Sequence, residues 1–218
     1  KGGVMATNPL WRKTLSQWKA QIQGWMRKKH EAMLLFCDIF FDFQPVWGEA
    51  DLARELRVFV TELAPRQPMF LREMFGIQAD HRAAVGLFNR FITERQDPAH
   101  KGQINLKLMG TLPLAEGVRL LALRHGIAAT GTLARLEGLL AAGKTTSHEA
   151  DHLRAAFTCV TGLQLRQQLL DYEAGRPVGN FVDPRSLSER ERETLRDGLK
   201  AINDFRTRLK SELTGELI

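Results

Sequence analysis

Cysteine is scarce in this chain. Cys37 and Cys159 are the only two in 218 residues, far apart and in apolar surroundings. That excludes a disulfide framework and reads as two free thiols in a reducing cytoplasm. Long hydrophobic runs are missing as well. The longest, Leu34 to Phe43, is interrupted by Asp38 and Asp42 and falls well short of the ~20 residues of a membrane-spanning helix. No polybasic block occurs. The 31 basic residues are interleaved with 25 acidic ones, so the net charge of +6 suits an anionic partner such as a nucleotide, yet without a basic stripe nucleic acid is a disfavoured partner. The nearest thing to a block, Arg27-Lys28-Lys29-His30, falls where a helix should end, and cations there favour the macrodipole. Walker loops, dinucleotide glycine fingerprints, CxxC pairs and HExxH are all lacking, which removes the chemistries those motifs signal.

What remains is a chain 44% hydrophobic, enough for one large domain or two small ones. Asn8-Pro9 looks like a cap, and Leu15, Trp18, Ile22, Trp25 and Met26 recur at helical spacing. The Leu34–Phe43 run reads as a buried strand, closed by Pro45 and Gly48. A second helical stripe follows through Leu52, Leu56, Phe59, Val60 and Leu63. Two shorter helices, around Phe70 to Phe75 and Val85 to Ile92, are expected on either side of Gly76–Asp80. Ile104, Leu106 and Leu108 alternate between Gly102 and Gly110, as in an extended connector or short strand, and an internal boundary is placed there.

Beyond it the pattern is helical. One helix ends at His125 with Gly126 as its cap, and another runs from Thr132 to Ala142. A long one starts at Thr146 with Glu149, and a last one starts at Ser186 with Glu189 or Ser188 with Glu191. Leu195, Leu199, Ile202, Leu209 and Leu213 run along that last helix at near-heptad spacing. Four helices with short joints predict an antiparallel bundle.

Asp42 is the leading candidate site residue. A carboxylate inside so apolar a run is costly to bury alone, so it should face a cation, a metal or a cleft. Arg119, Arg124, His125 and Arg135 could converge as an anion cradle, the bland alternative for His125 being a helix-end histidine. Arg166 and Gln167, with Gln164 and Gln168, either face solvent or line a pocket. His148 and His152 share the i,i+4 spacing a metal can use, but no third ligand is evident, and a solvated first turn is the simpler reading. Asn180-Phe181-Val182-Asp183-Pro184 is turn chemistry.

Several segments taken together resemble a known family. Lys1 to Arg12 and the run Ile39-Phe40-Phe41-Asp42-Phe43-Gln44-Pro45-Val46-Trp47-Gly48-Glu49 are similar to the later part of the catalytic domain in a family of bacterial nucleotidyltransferases. Those proteins are often joined to CBS and cyclic-nucleotide-binding domains and are distantly similar to the protein-PII uridylyltransferases. Leu120 to Leu136, Leu163 to Leu169 and Asn180 to Pro184 resemble that family's C-terminal substrate-binding domain.

The resemblance implies a mainly α fold: a small α/β remnant of the nucleotidyltransferase domain over residues 1–95, then a helical-bundle substrate-binding domain over 96–218. It implies metal-dependent transfer of a nucleoside monophosphate from an NTP to a hydroxyl on a protein or small molecule, within a signal-transduction setting. It makes Asp42 a catalytic and Mg2+-binding acid. Arg119, Arg124, His125, Arg135, Arg166 and Gln167 are the expected substrate-binding residues, on the strength of their side-chain types and helical placement. A Gly-Ser loop and its acid pair are expected upstream of Lys1, so the chain is read as a fragment, inactive alone. Gln44 stands where the family usually has arginine. The edge of a truncated sheet could pair two copies. The rival reading is a non-catalytic helical docking module. The enzymatic reading hangs on Asp42 lining a catalytic crevice: a side chain locked into a salt bridge within the helical layer, or turned to bulk water, would overturn it and leave only that rival.

Overall fold

The computed structural model describes residues 8–27, 34, 36, 37 and 40–215. The described chain is mainly α. In order come α1 (Leu15–Arg27), α2 (Ala50–Leu63), α3 (Pro68–Ile77), β1 (Ile104–Asn105), α4 (Leu112–Arg124), α5 (Thr132–Ala141), α6 (Ser147–Glu173), β2 (Phe181–Val182) and α7 (Glu189–Thr214). The two strands form one antiparallel pair, Ile104 opposite Val182 and Asn105 opposite Phe181.

The organising pair is α6 with α7. Glu149 meets Arg208 near one end and Arg166 meets Glu191 near the other, so the helices run antiparallel. Between those ends Leu195, Leu199, Ile202 and Leu209 are fully buried. Each contributes about 1.5–3 kcal/mol by leaving water. The predicted starts hold. Thr146 caps α6 by accepting from Glu149 N. Ser188 and Glu191, not Ser186 and Glu189, form a reciprocal capping box for α7. A left-handed glycine follows α4 (Gly126, φ 66°) and α5 (Gly143, φ 66°), the conformation that glycine adopts most cheaply.

Three expectations change. The predicted strand around Ile39–Phe43 is not present among the described residues: Leu34, Phe36, Cys37 and Phe40 are helical, and the chain turns at Phe41 and Asp42. Phe41 N donates to Cys37 O in the helical manner, because aromatic partners on more than one side reward a helix as well as a strand would. The sheet edge imagined for pairing copies is therefore absent among those residues. Lys28, Lys29, His30 and Ile39 lie outside the described residues.

Second, Val85 to Ile92 is a hairpin-like turn, with Val85 bridging to Phe91. The segment pairs with itself, Gly86 N donating to Arg90 O and Ile92 N to Ala84 O, both at 2.9 Å. Asn203 of α7 anchors its start, its Oδ1 accepting from Ala83 N at 3.0 Å and its Nδ2 donating to Val85 O at 3.2 Å. Phe88 and Asn89 both take φ near 56°, a strained conformation for residues with a side chain. Third, Asn8-Pro9 opens a short 3-10 turn, and α1 starts later, at Leu15.

Gly198 lets α7 approach α6 closely at Ala156. A Cβ there would lie 3.1 Å from Ala156 Cα and 3.2 Å from its Cβ, atoms that cannot swing aside. Gly198→Val is expected to destabilise the fold by about 1–3 kcal/mol. Gly198→Ala should do less harm, since the gain in helix propensity of about 1 kcal/mol offsets the clash. Urea unfolding midpoints of the three proteins check the order.

Candidate functional site

Aromatic packing sets the position of Asp42. Phe40 stacks on Trp18 at 4.8 Å and meets Trp25 edge-on at 5.3 Å, while the fully buried Phe41 lies edge-on to Phe70 at 6.1 Å. With those rings held, the chain reverses at Asp42. Arg57 of α2 clamps the reversal, donating to Phe41 O at 2.5 Å and Phe43 O at 2.7 Å, with its guanidinium 4.0 Å from the Phe43 ring.

The Asp42 carboxylate is thereby delivered to two arginines of the helical layer. Arg119 of α4 donates from Nε at 3.1 Å and Nη2 at 2.6 Å to Oδ2, and Arg135 of α5 donates from Nη2 to Oδ1. Arg135 is almost wholly buried and also donates to Ala129 O at 2.9 Å. Burial works against the charged carboxylate, but hydrogen bonds and charge from Arg119 and Arg135 outweigh it and hold its pKa below the ordinary 3.8. Arg57 is pushed down to about 10 by burial and by the like charge of Arg135, against the pull of Asp42. It is still protonated at neutral pH.

The predicted cradle of four thus divides. Arg119 and Arg135 converge on Asp42. Arg124 and His125 instead meet Glu212 of α7, at 2.7 Å and 3.0 Å. Arg208 continues that network, joining Glu212 to Glu149. Arg166 pairs with Glu191, whose carboxyl it pulls down to about 2 with help from Ser188. The rings of His148 and His152 lie 4.1 Å apart, tilted by 34°, on the exposed side of the first two turns of α6. Among the described residues no group of three or more His, Cys, Asp or Glu side chains could hold a metal. Both Asp42 oxygens are engaged by guanidinium groups. The residues described here therefore do not fit a magnesium site.

Gln167 belongs to a different feature, a cavity of about 660 Å³ with mixed polar and apolar walls, where the C-terminal end of α6 meets the 97–103 and 176–181 loops. Gln167 Nε2 donates to Asp171 at 3.0 Å, and Arg176 Nη2 donates to the same carboxylate at 2.9 Å. Gln164 and Gln168 hold Asn180 through its Oδ1, at 2.9 Å and 3.1 Å. The glutamines thus brace the Asn180–Pro184 loop. His100, Gln103, Asp171, Arg176 and Phe181 were missed as lining residues. They come from loops and a helix end with no periodicity to mark them, and the nearest signal was the cluster of mid-helix glutamines. A wider groove of about 740 Å³ runs beside Arg166 between α6 and the start of α7.

A family model described as a putative nucleotidyltransferase substrate binding domain matches residues 68–213. The chain belongs to that family. A second model, of a putative nucleotidyltransferase, matches residues 1–32. No curated protein and no solved structure matches the chain significantly. The substrate-binding domain match begins at the first residue of α3 and takes in the stretch that a boundary near Arg95 would divide. One continuous hydrophobic core runs from Ile22 of α1 to Leu213 of α7. No helix among the described residues is long and apolar enough to cross a membrane.

The Asp42 pairing carries a pH signature. Because its folded pKa is lowered, its contribution is complete above the ordinary carboxyl value and is lost as pH falls through the lowered one. Asp42→Asn should cost about 2 kcal/mol at neutral pH, less than the ~3–5 of a fully buried pair because a third of the carboxylate meets water. The difference from the parent should shrink once Asp42 itself protonates in acid. Unfolding midpoints measured from pH 7 down to pH 2 check both statements.

Proposed function

We propose that this helical domain holds the acceptor in a nucleotidyl-transfer reaction of the protein-PII uridylyltransferase kind. In that reaction an acceptor hydroxyl oxygen bonds to the α-phosphorus of an NTP, the bond from that phosphorus to the β-bridging oxygen breaks, and pyrophosphate leaves with the hydroxyl proton passing to a base. The family match over residues 68–213 supports the general kind, and the cavity at the end of α6, apolar-walled with a few carboxamides, supplies a concave site for an acceptor.

Asp42 has a different part in this reading from the one the resemblance implied. With both oxygens on Arg119 and Arg135, it is a positioning residue that ties the 40–43 turn to α4 and α5. The metal and its acids are then supplied by other parts of the intact protein. Cytoplasmic location and service to attached signalling domains remain part of the proposal.

The Asp42 salt bridge overturns the expectation that this carboxylate lines a catalytic crevice and favours a second reading, a helical module that docks a partner and relays signals without catalysis; the family match is what supports the transferase reading beside it. Transfer of radiolabel from an α-labelled NTP by the full-length protein separates the two. The transferase reading expects magnesium-dependent labelling, none from residues 1–218 alone, and unchanged magnesium affinity in Asp42→Ala. Absence of labelling with every NTP would leave the docking module.

A further inference from the structure

The cavity at the C-terminal end of α6, at about 660 Å³, is within the roughly 300–1,000 Å³ usual for small-molecule sites. Its principal charges cancel. Asp171 is 8% exposed and accepts from Arg176, from Gln167 and, at 3.4 Å, from Gly179 N. A phosphate would need a guanidinium not already answered by a carboxylate, so the cavity suits a neutral ligand.

Three carboxamides keep hydrogen-bonding capacity there. Asn180 uses its Oδ1 on Gln164 and Gln168, which leaves its amide hydrogens without a protein acceptor among the described residues. Gln103 Oε1 meets His100 Nδ1 at 3.3 Å, leaving its amide hydrogens likewise, and Gln167 gives its amide to Asp171, leaving its Oε1. The wall also holds an aromatic pair, His100 stacked on Phe181 at 3.8 Å with 2° between the planes. Donors and acceptors of neutral type, set beside flat rings, match a ligand that has hydroxyls and a planar heterocycle.

We propose that this cavity binds a neutral molecule of the nucleoside class, its heterocycle against the His100–Phe181 pair and its hydroxyls among Gln103, Gln167 and Asn180. This rests on the acceptor-binding reading above and narrows the acceptor to a small molecule, because a hollow of about 660 Å³ matches the volume of a whole small ligand.

Isothermal titration of the chain with uridine, adenosine, UMP, glucose and inorganic phosphate tests it. At least one nucleoside should bind, more tightly than glucose, and its monophosphate should bind no tighter. Gln103→Ala and Gln167→Leu should each weaken the nucleoside about tenfold, the equivalent of one hydrogen bond of ~1.4 kcal/mol. Circular dichroism checks folding. Gln103→Ala carries the test if Gln167→Leu unfolds, since among the described residues the Gln103 side chain's one hydrogen bond is to His100. No nucleoside binding, unchanged affinity in Gln103→Ala, glucose binding as tightly as the nucleosides, or displacement of nucleoside by inorganic phosphate would overturn the proposal. Nucleoside binding without nucleotidyl transfer by the full-length protein defeats the transferase reading and leaves the cavity assignment standing. Transfer without nucleoside binding defeats only the cavity assignment.

Discussion

The antiparallel packing of α6 on α7 sets the geometry of the helical domain. Gly198 lets the backbones close to within contact of Ala156, and that proximity allows Leu195, Leu199, Ile202 and Leu209 to be fully buried. The same packing fixes where each helix ends. At one end, Glu149, Arg208, Glu212, Arg124 and His125 form a shared ion-pair network. At the other, the last turns of α6 meet β2 and the 97–103 loop and leave the cavity lined by Gln103, Gln167 and Asn180.

Charge is handled in two ways in this molecule. Around Asp42 a carboxylate from an early turn is held by arginines of two later helices, so the pairing acts as a joint between distant parts of the chain. Around Asp171 the pairing is local, within the end of α6 and the loop that follows, and it shapes a hollow without adding net charge to it. The first arrangement stabilises a connection and the second leaves neutral hydrogen-bonding groups available. That difference is why the cavity, more than the Asp42 cluster, is the better candidate for holding an acceptor.

Periodicity identified the helices well. The stripe Leu195 to Leu213 is buried along α7, and the caps at Thr146 and Ser188 are formed as their sequence motifs imply. The same reasoning failed at Leu34–Phe43, where an unbroken apolar run suits a buried helix and a buried strand equally. It failed again at Val85–Ile92, where a turn pairs with its own backbone and is anchored by Asn203, more than a hundred residues away. The candidate site was legible only in part. Asp42 was recognised as a carboxylate needing a partner, and Arg119 and Arg135 as anion-binding groups, yet nothing in the sequence joined the one to the others.

Local sequence determined the helix starts, the glycine stops, the buried faces and the family to which the chain belongs, because each depends on residues a few positions apart. Tertiary structure decided which arginines meet which carboxylates and that glutamines of α6 brace a loop beyond its end. It also decided that a histidine and a phenylalanine some eighty residues apart stack to wall a cavity. Those outcomes depend on where whole helices come to rest against one another, a matter of collective packing that no short stretch of residues records.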